Sequence, residues 1–200
     1  MTYQLIIIGS SLGGLRALQK LLPLLIDNCS LPIIIIQHRD ADIHTGDMLS
    51  HMLQRSSHKT LCEAEDKMPI DNNHIYLAPA DYHLMIEEGR LALSTEPPVA
   101  HARPSIDVAF ESAARFFGPS LVGVVLTGTG TDGAAGLAHI ERRGGIAVVE
   151  DPESAEQSSM PSAAIAATRS AKVLPIEQIA NFLSELDQKN FPQNTRDRKT

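Results

Sequence analysis

The sequence predicts an α/β fold: a doubly wound, mostly parallel sheet with helices on both faces and an antiparallel edge hairpin. Three observations predict it. Short all-apolar runs, Leu5-Ile6-Ile7-Ile8, Ile33-Ile34-Ile35-Ile36 and Leu121-Val122-Gly123-Val124-Val125-Leu126, read as strands buried on both faces, as in the middle of a parallel sheet. A helical pattern separates the first two, and strand, helix, strand at that length is a βαβ crossover with a right-handed connection. Between residues 61 and 93 the texture changes to short alternating runs punctuated by turn residues.

The first strand, 4–9, stops at Gly9, and Ser10-Ser11-Leu12-Gly13-Gly14 leads into a helix over 13–25. Leu15, Leu18, Leu22 and Leu25 recur there at helical spacing and give one buried face. Asp27-Asn28 breaks that helix, Pro32 precedes the second strand, and the strand ends at Gln37-His38. A polar loop follows, then a helix at 45–55 with Met48, Leu49, Met52 and Leu53 inward. Ile75-Tyr76-Leu77 reads as a short strand, and 83–93 as a hairpin turning at Glu88-Gly89. Together they form an antiparallel edge attached to the parallel sheet. Pro104-Ser105 starts a helix over 105–117, with Ile106, Ala109, Phe110 and Ala113 inward and Gly118-Pro119 closing it. The third buried strand runs into Thr127-Gly128-Thr129-Gly130-Thr131-Asp132-Gly133. A helix at 134–142, a strand at 146–149, a helix at 161–168, a short strand at Val173-Leu174 and a helix at 176–186 complete the fold. Residues 1–187 form one domain and 188–200 a polar tail.

Composition removes several function classes. The 200 residues are 43% apolar and 20% charged, as in an ordinary globular protein that can bury a substantial core. A net charge of −7 and the lack of a basic run argue against nucleic acid as a partner. With no Trp there is little material for stacking on bases. Cys29 and Cys62 have no CxxC or zinc-type spacing. The series His38-x-Asp40-x-Asp42-x-His44 alternates along a loop, which is not a strong ligand pattern, so no metal is expected. No signal-peptide pattern and no bilayer-length apolar run are present, so the expected compartment is the cytoplasm, without membrane insertion.

The chemistry gathers at strand ends. Gly9-x-Ser11-x-Gly13 fits the nucleophile-elbow pattern, in which a serine hydroxyl stands clear of a strand with helix amides behind it. A plain strand-to-helix turn or a phosphate-binding glycine loop would also satisfy it. Ligands of open α/β sheets bind at the carboxyl ends of the strands. Ser11 follows the first buried strand, His38 the second and Asp132 the third. If these strands are parallel, a serine, a histidine and an aspartate share one rim, and those are the parts of an acyl-transfer site. Taken singly, His38 reads as a satisfied strand-end histidine and Asp132 as a helix N-cap. The chain order Ser, His, Asp differs from that of the α/β-hydrolases, chymotrypsin and subtilisin.

From residue 4 to about residue 185 the chain resembles the catalytic domain of the chemotaxis protein-glutamate methylesterases, the CheB family. The carriers are Ile8-Gly9-Ser10-Ser11-Leu12-Gly13-Gly14, Gln37-His38, Ile75-Tyr76-Leu77-Ala78-Pro79, Arg103-Pro104-Ser105-Ile106-Asp107, Leu126-Thr127-Gly128-Thr129-Gly130-Thr131-Asp132-Gly133 and Met160-Pro161. The resemblance implies Ser11 as nucleophile, His38 as base and Asp132 as its orienting acid. It also implies hydrolysis of glutamate γ-methyl esters on cytoplasmic helices of chemoreceptors, often with deamidation of receptor glutamines, and no cofactor. The expected substrate and oxyanion region is Leu12, Gly13, Thr129, Gly130 and Met160.

Two departures bear on substrate fit. Thr129 stands where the family commonly has methionine, and Arg39-Asp40 where it commonly has Met-Pro. The first strand begins too early to leave room for the receiver domain usual in the family, so receiver control in cis is expected to be absent. Two rivals stay open: a phosphate-binding module, against which stands the lack of GxGxxG and Walker A sequences, and a catalytically silent CheB-like binding module in a sensory pathway.

Overall fold

In the computed structural model, residues 2–25, 29–39, 43–57 and 59–190 are described, 43–47, 189 and 190 by backbone alone. The chain order is β1 (Leu5–Ser10), α1 (Gly14–Leu25), β2 (Ile33–Gln37), α2 (Ile43–Gln54), β3 (Thr60–Glu63), β4 (His74–Leu77), β5 (His83–Glu87) and β6 (Arg90–Ser94). It continues with α3 (Ile106–Phe117), β7 (Leu121–Val125), α4 (Ala134–Arg142), β8 (Ile146–Glu150), α5 (Ser159–Ala167), β9 (Lys172–Leu174) and α6 (Ile176–Asn190).

Among the described residues, seven strands form one sheet in the order β3-β4-β2-β1-β7-β8-β9, with every pairing parallel. The chain winds outward from β1 through β2, then returns to lay β7 on the other side of β1. With right-handed crossovers, reversing the direction of winding moves the helices to the opposite face. One core accordingly joins Leu18 of α1, Leu53 of α2 and Leu183 of α6. The other joins Phe110 of α3, Leu137 of α4 and Ala164 of α5. The pleat divides each central strand between them: Ile6 and Ile8 face the first core, Leu5 and Ile7 the second. The switch point, where a ligand site is expected, lies between β1 and β7.

The parallel, doubly wound reading holds, and the hairpin turns at Glu88-Gly89, both at positive φ as a two-residue loop requires. The manner of its attachment differs. β5 and β6 form their own two-stranded sheet, and Leu84, Ile86 and Leu91 bury in the core beneath α3. Ile75-Tyr76-Leu77 is not antiparallel: it lies in β4, parallel between β2 and β3. Alternation in the hairpin records one buried side, and says nothing about which neighbour covers it.

Met48 and Met52 also depart from expectation. They lie on the exposed side of α2, while Leu49 and Leu53 alone turn inward, because a stripe of one residue per turn is all that this peripheral helix buries. The last helix runs to Asn190, past residue 186. Asp27-Asn28, Asp40 and Asp42, and residues 191–200 of the tail lie outside the described residues. No helix among the described residues is long and apolar enough to cross a membrane.

Candidate active site

β1 and β2 end level, Ser10 beside Gln37, and the side chain of Gln37 joins them. Its Oε1 accepts from Ser10 Oγ at 2.7 Å. Its Nε2 donates to the carbonyls of Ser11 (2.8 Å) and His38 (2.9 Å). A Cβ on Gly14 would stand 2.1 Å from that Oε1, so the approach of α1 to this amide requires glycine. On the other side, Ser11 N donates to Thr127 O at 3.0 Å, tying the turn after β1 to the turn after β7. The backbones carrying Ser11, His38 and the Thr127–Gly133 motif are thus fixed to one another by hydrogen bonds rather than by packing alone.

The three side chains meet above this rim. His38 Nδ1 lies 3.2 Å from Ser11 Oγ, and His38 Nε2 lies 2.7 Å from Asp132 Oδ2. Asp132 is 5% exposed and sits on the N-terminus of α3. Its Oδ1 accepts from Ser105 Oγ (3.0 Å) and Asp107 N (2.9 Å), and its Oδ2 also accepts from Ile106 N at 2.7 Å. A helix N-terminus favours negative charge. Burial pushes the Asp132 carboxyl up, but the bond to His38 and the amides of Asp107 and Ile106 outweigh it, leaving the group below its ordinary value.

Asp107 returns the favour. Its Oδ1 accepts from Gly133 N at 2.9 Å and Gly136 N at 2.7 Å, capping α4, which has no side-chain cap of its own. Burial, with the Asp132 charge adding to it against the two amides, pushes the Asp107 carboxyl up to about 6. Beneath, Ser105 N donates to Nδ1 of the buried His83 (3.2 Å), whose Nε2 faces Pro97 O at 3.1 Å. Those partners fix His83 as a satisfied core histidine.

The remaining predicted positions border the serine. The amides of Leu12, Gly13, Thr129 and Gly130 meet no acceptor among the described residues. Space is open above Gly130, where a Cβ would touch nothing within 4 Å. Met160 is buried; a Cβ on Gly128 would stand 2.3 Å from Met160 Sδ and 2.8 Å from Ser11 Cβ, so Gly128 is the thin wall between them. Thr127 N donates to the buried Glu150 carboxylate at 2.7 Å, and burial raises that carboxyl. A cleft of about 510 Å³ opens beside Ser11 and His38 between Leu12, Arg16, Arg39 and Glu156. Arg16 and Glu156 close its rim through a 3.1 Å ion pair. Arg39 turns away, donating to Ala78 O (2.8 Å) and Glu63 (2.6 Å). No group of three His, Cys, Asp or Glu among the described residues could hold a metal.

The sequence alone gives Gln37, Asp107 and Glu150 no role, and marks Ser105 only as a helix start. The signals were slight: a glutamine before the strand-end histidine, and an aspartate two residues past an N-cap.

Comparison with known proteins adds the family. The model described as CheB methylesterase matches residues 6–183. A Leptospira interrogans protein provisionally named protein-glutamate methylesterase/protein-glutamine glutaminase is 41% identical over 194 residues, 96% of this chain and 100% of its own length. The protein-glutamate methylesterase FrzG of Myxococcus xanthus is 35% identical over 92% of this chain and 54% of its own. The chain therefore spans the whole of one relative and about half of the other. The CheB methylesterase catalytic domain of Thermotoga maritima superposes with a TM-score of 0.84 at 31% identity, covering 93% of this chain and 100% of that one.

Proposed function

Because this chain belongs to the CheB methylesterase family, we propose that it is a serine hydrolase that cleaves glutamate γ-methyl esters on cytoplasmic chemoreceptor helices. Methanol is released, and receptor glutamines are deamidated by the same chemistry. The observation that carries the proposal is the continuous relay from Ser11 Oγ through His38 to Asp132, with steps of 3.2 and 2.7 Å.

With Asp132 on Nε2, the neutral imidazole keeps its proton there and offers the Nδ1 lone pair to Ser11. This is the reverse of the chymotrypsin arrangement, in which Nε2 faces the serine. As Ser11 Oγ attacks the ester carbonyl, Nδ1 takes its proton, and Asp132 stabilises the imidazolium. The tetrahedral oxyanion draws on the amides of Leu12 and Gly13 and on those of Thr129 and Gly130, each such donor contributing roughly 3–4 kcal/mol. His38 returns the proton to the leaving methanol. Water then cleaves the acyl-enzyme by the same route, without metal or cofactor. The exposed Leu12 and the Arg16–Glu156 pair at the rim are the surfaces a receptor helix meets.

A serine-directed phosphonate tests the reading. The expected result is an adduct on Ser11 that His38→Ala abolishes, together with methanol release from methylated receptors of the same cell. Absence of labelling in the wild-type protein would support a silent binding module instead.

A further inference from the structure

Asp107 stands beside the relay without joining it. Asp107 does not touch Ser11 or His38, yet it grips the residue that follows the triad acid. Gly133 N and Gly136 N both donate to its Oδ1, while its own N–H donates to Asp132 Oδ1. Two helices therefore exchange caps: the acid before α4 caps α3, and the acid in the first turn of α3 caps α4. The helices touch where this exchange occurs, since a Cβ on Gly136 would lie 2.6 Å from Phe110 Cβ and 3.0 Å from Asp107 Cα.

We propose that Asp107 is a positioning residue for Asp132: by clamping Gly133 and the first turn of α4 it holds the triad carboxylate on Nε2 of His38, and its charge adds to the field that favours the imidazolium. The inference rests on the esterase reading of the site.

An uncharged cap would serve α4 equally well, since Asn, Ser and Thr are all good caps. A carboxylate is the costly choice here. The charges acting on it are Asp132, from the loop before α4, and Glu111, one turn along its own helix, both negative. Burial raises its carboxyl further. Asp132 is the group that gains from the clamp, because Gly133, at φ 94, follows it directly, and among the described residues Asp107 is the one side chain that holds the Gly133 amide. A shift of Gly133 moves Asp132 directly, and a misplacement near 1 Å costs on the order of 10²-fold in rate.

The test compares Asp107→Ala with Asp107→Asn, using two readouts. The low-field proton resonance of His38 Nε2–H reports its bond to Asp132 without any substrate. Steady-state hydrolysis of an activated ester reports kcat, KM and the acid limb of the pH profile. Asp107→Ala is expected to lose the low-field signal and about 10-fold or more in kcat, with KM within about two-fold. Asp107→Asn keeps an acceptor for both glycine amides. It is expected to restore the signal and most of kcat, with the acid limb displaced to lower pH by about half a unit. Retention of signal and kcat in Asp107→Ala overturns the proposal, as does an Asp107→Asn profile matching wild type at every pH. If Asp107→Ala does not fold, the Asp107→Asn profile decides alone. A wild-type protein that turns over no ester and takes no phosphonate sinks the esterase reading instead, a result the resonance distinguishes because it needs no turnover.

Discussion

Asp107 and Asp132 rest on neighbouring helix termini, yet their carboxyls move in opposite directions. Asp132 gathers His38, a hydroxyl and two amides, which outweigh its burial, and ends below its ordinary value; Asp107 is pushed up to about 6 by burial first and by the Asp132 charge second, against its two amides. The consequences for stability have opposite signs. Asp132 stabilises the fold above the ordinary carboxylate range, and that contribution is lost as pH falls through its depressed folded value. For Asp107 the stability is complete below the unfolded value of 3.8 and is lost as pH rises through about 6. Asp107→Asn is therefore expected to be more stable than wild type at pH 7.5, by about 1 kcal/mol after allowing for solvent screening of a half-buried group. The difference should vanish near pH 4. Urea denaturation at the two pH values measures it, and an equal gap at both would show that charge is not the cause.

At the scale of elements, the contact of α3 with α4 depends on a missing side chain. Alanine is the better helix former by about 1 kcal/mol, and on propensity alone Gly136→Ala should stabilise α4. The structure gives the opposite sign: the new methyl meets Phe110 Cβ and the backbone of Asp107, and forcing such a contact costs roughly 1–3 kcal/mol. A lower Tm for Gly136→Ala is the expected result, and a higher one would mean that the helices separate freely. The inward set of α3, Ile106, Ala109, Phe110 and Ala113, was legible in the sequence because helical spacing repeats. The bounds of α4 were legible because glycines mark them. β3 was not: Thr60-Leu61-Cys62-Glu63 is a short, half-exposed edge strand, with neither alternation nor an apolar run to distinguish it. Ser11, His38 and Asp132 could be brought together in advance because parallel strands send their carboxyl ends to one rim. Gln37, Asp107 and Glu150 could not, since a hydrogen bond across 23 to 29 positions leaves no periodic trace.

The whole molecule divides its work between the two rims of the sheet. Opposite the cleft, Asp187 of α6 accepts from Ser30 N at 2.6 Å and from Ser30 Oγ. Nearby, the buried Lys59 donates to Leu31 O at 2.7 Å, its ammonium pushed to lower pKa chiefly by burial. These contacts fasten α6 and the start of β3 to the segment leading into β2, and none reaches the serine. Asp187→Ala is expected to cost about 1–3 kcal/mol, leaving the Ser30 amide without its acceptor, while the rate of phosphonate labelling at Ser11 stays within two-fold of wild type. A matching fall in labelling would show that the rims are coupled.

The strand order carries a temporal consequence. β7 lies against β1 in the centre of the sheet, though just over half the chain separates them. As the polypeptide leaves the ribosome, Ser11 emerges among the first residues and Asp132 long afterwards. Until β7 has slid into place and α4 has begun, the nascent chain holds the Ser11 hydroxyl and the His38 imidazole without the carboxylate that bonds the imidazole in the finished fold. The chain of contacts from Ser11 through His38 to Asp132 closes late in synthesis, when the domain around it is nearly whole.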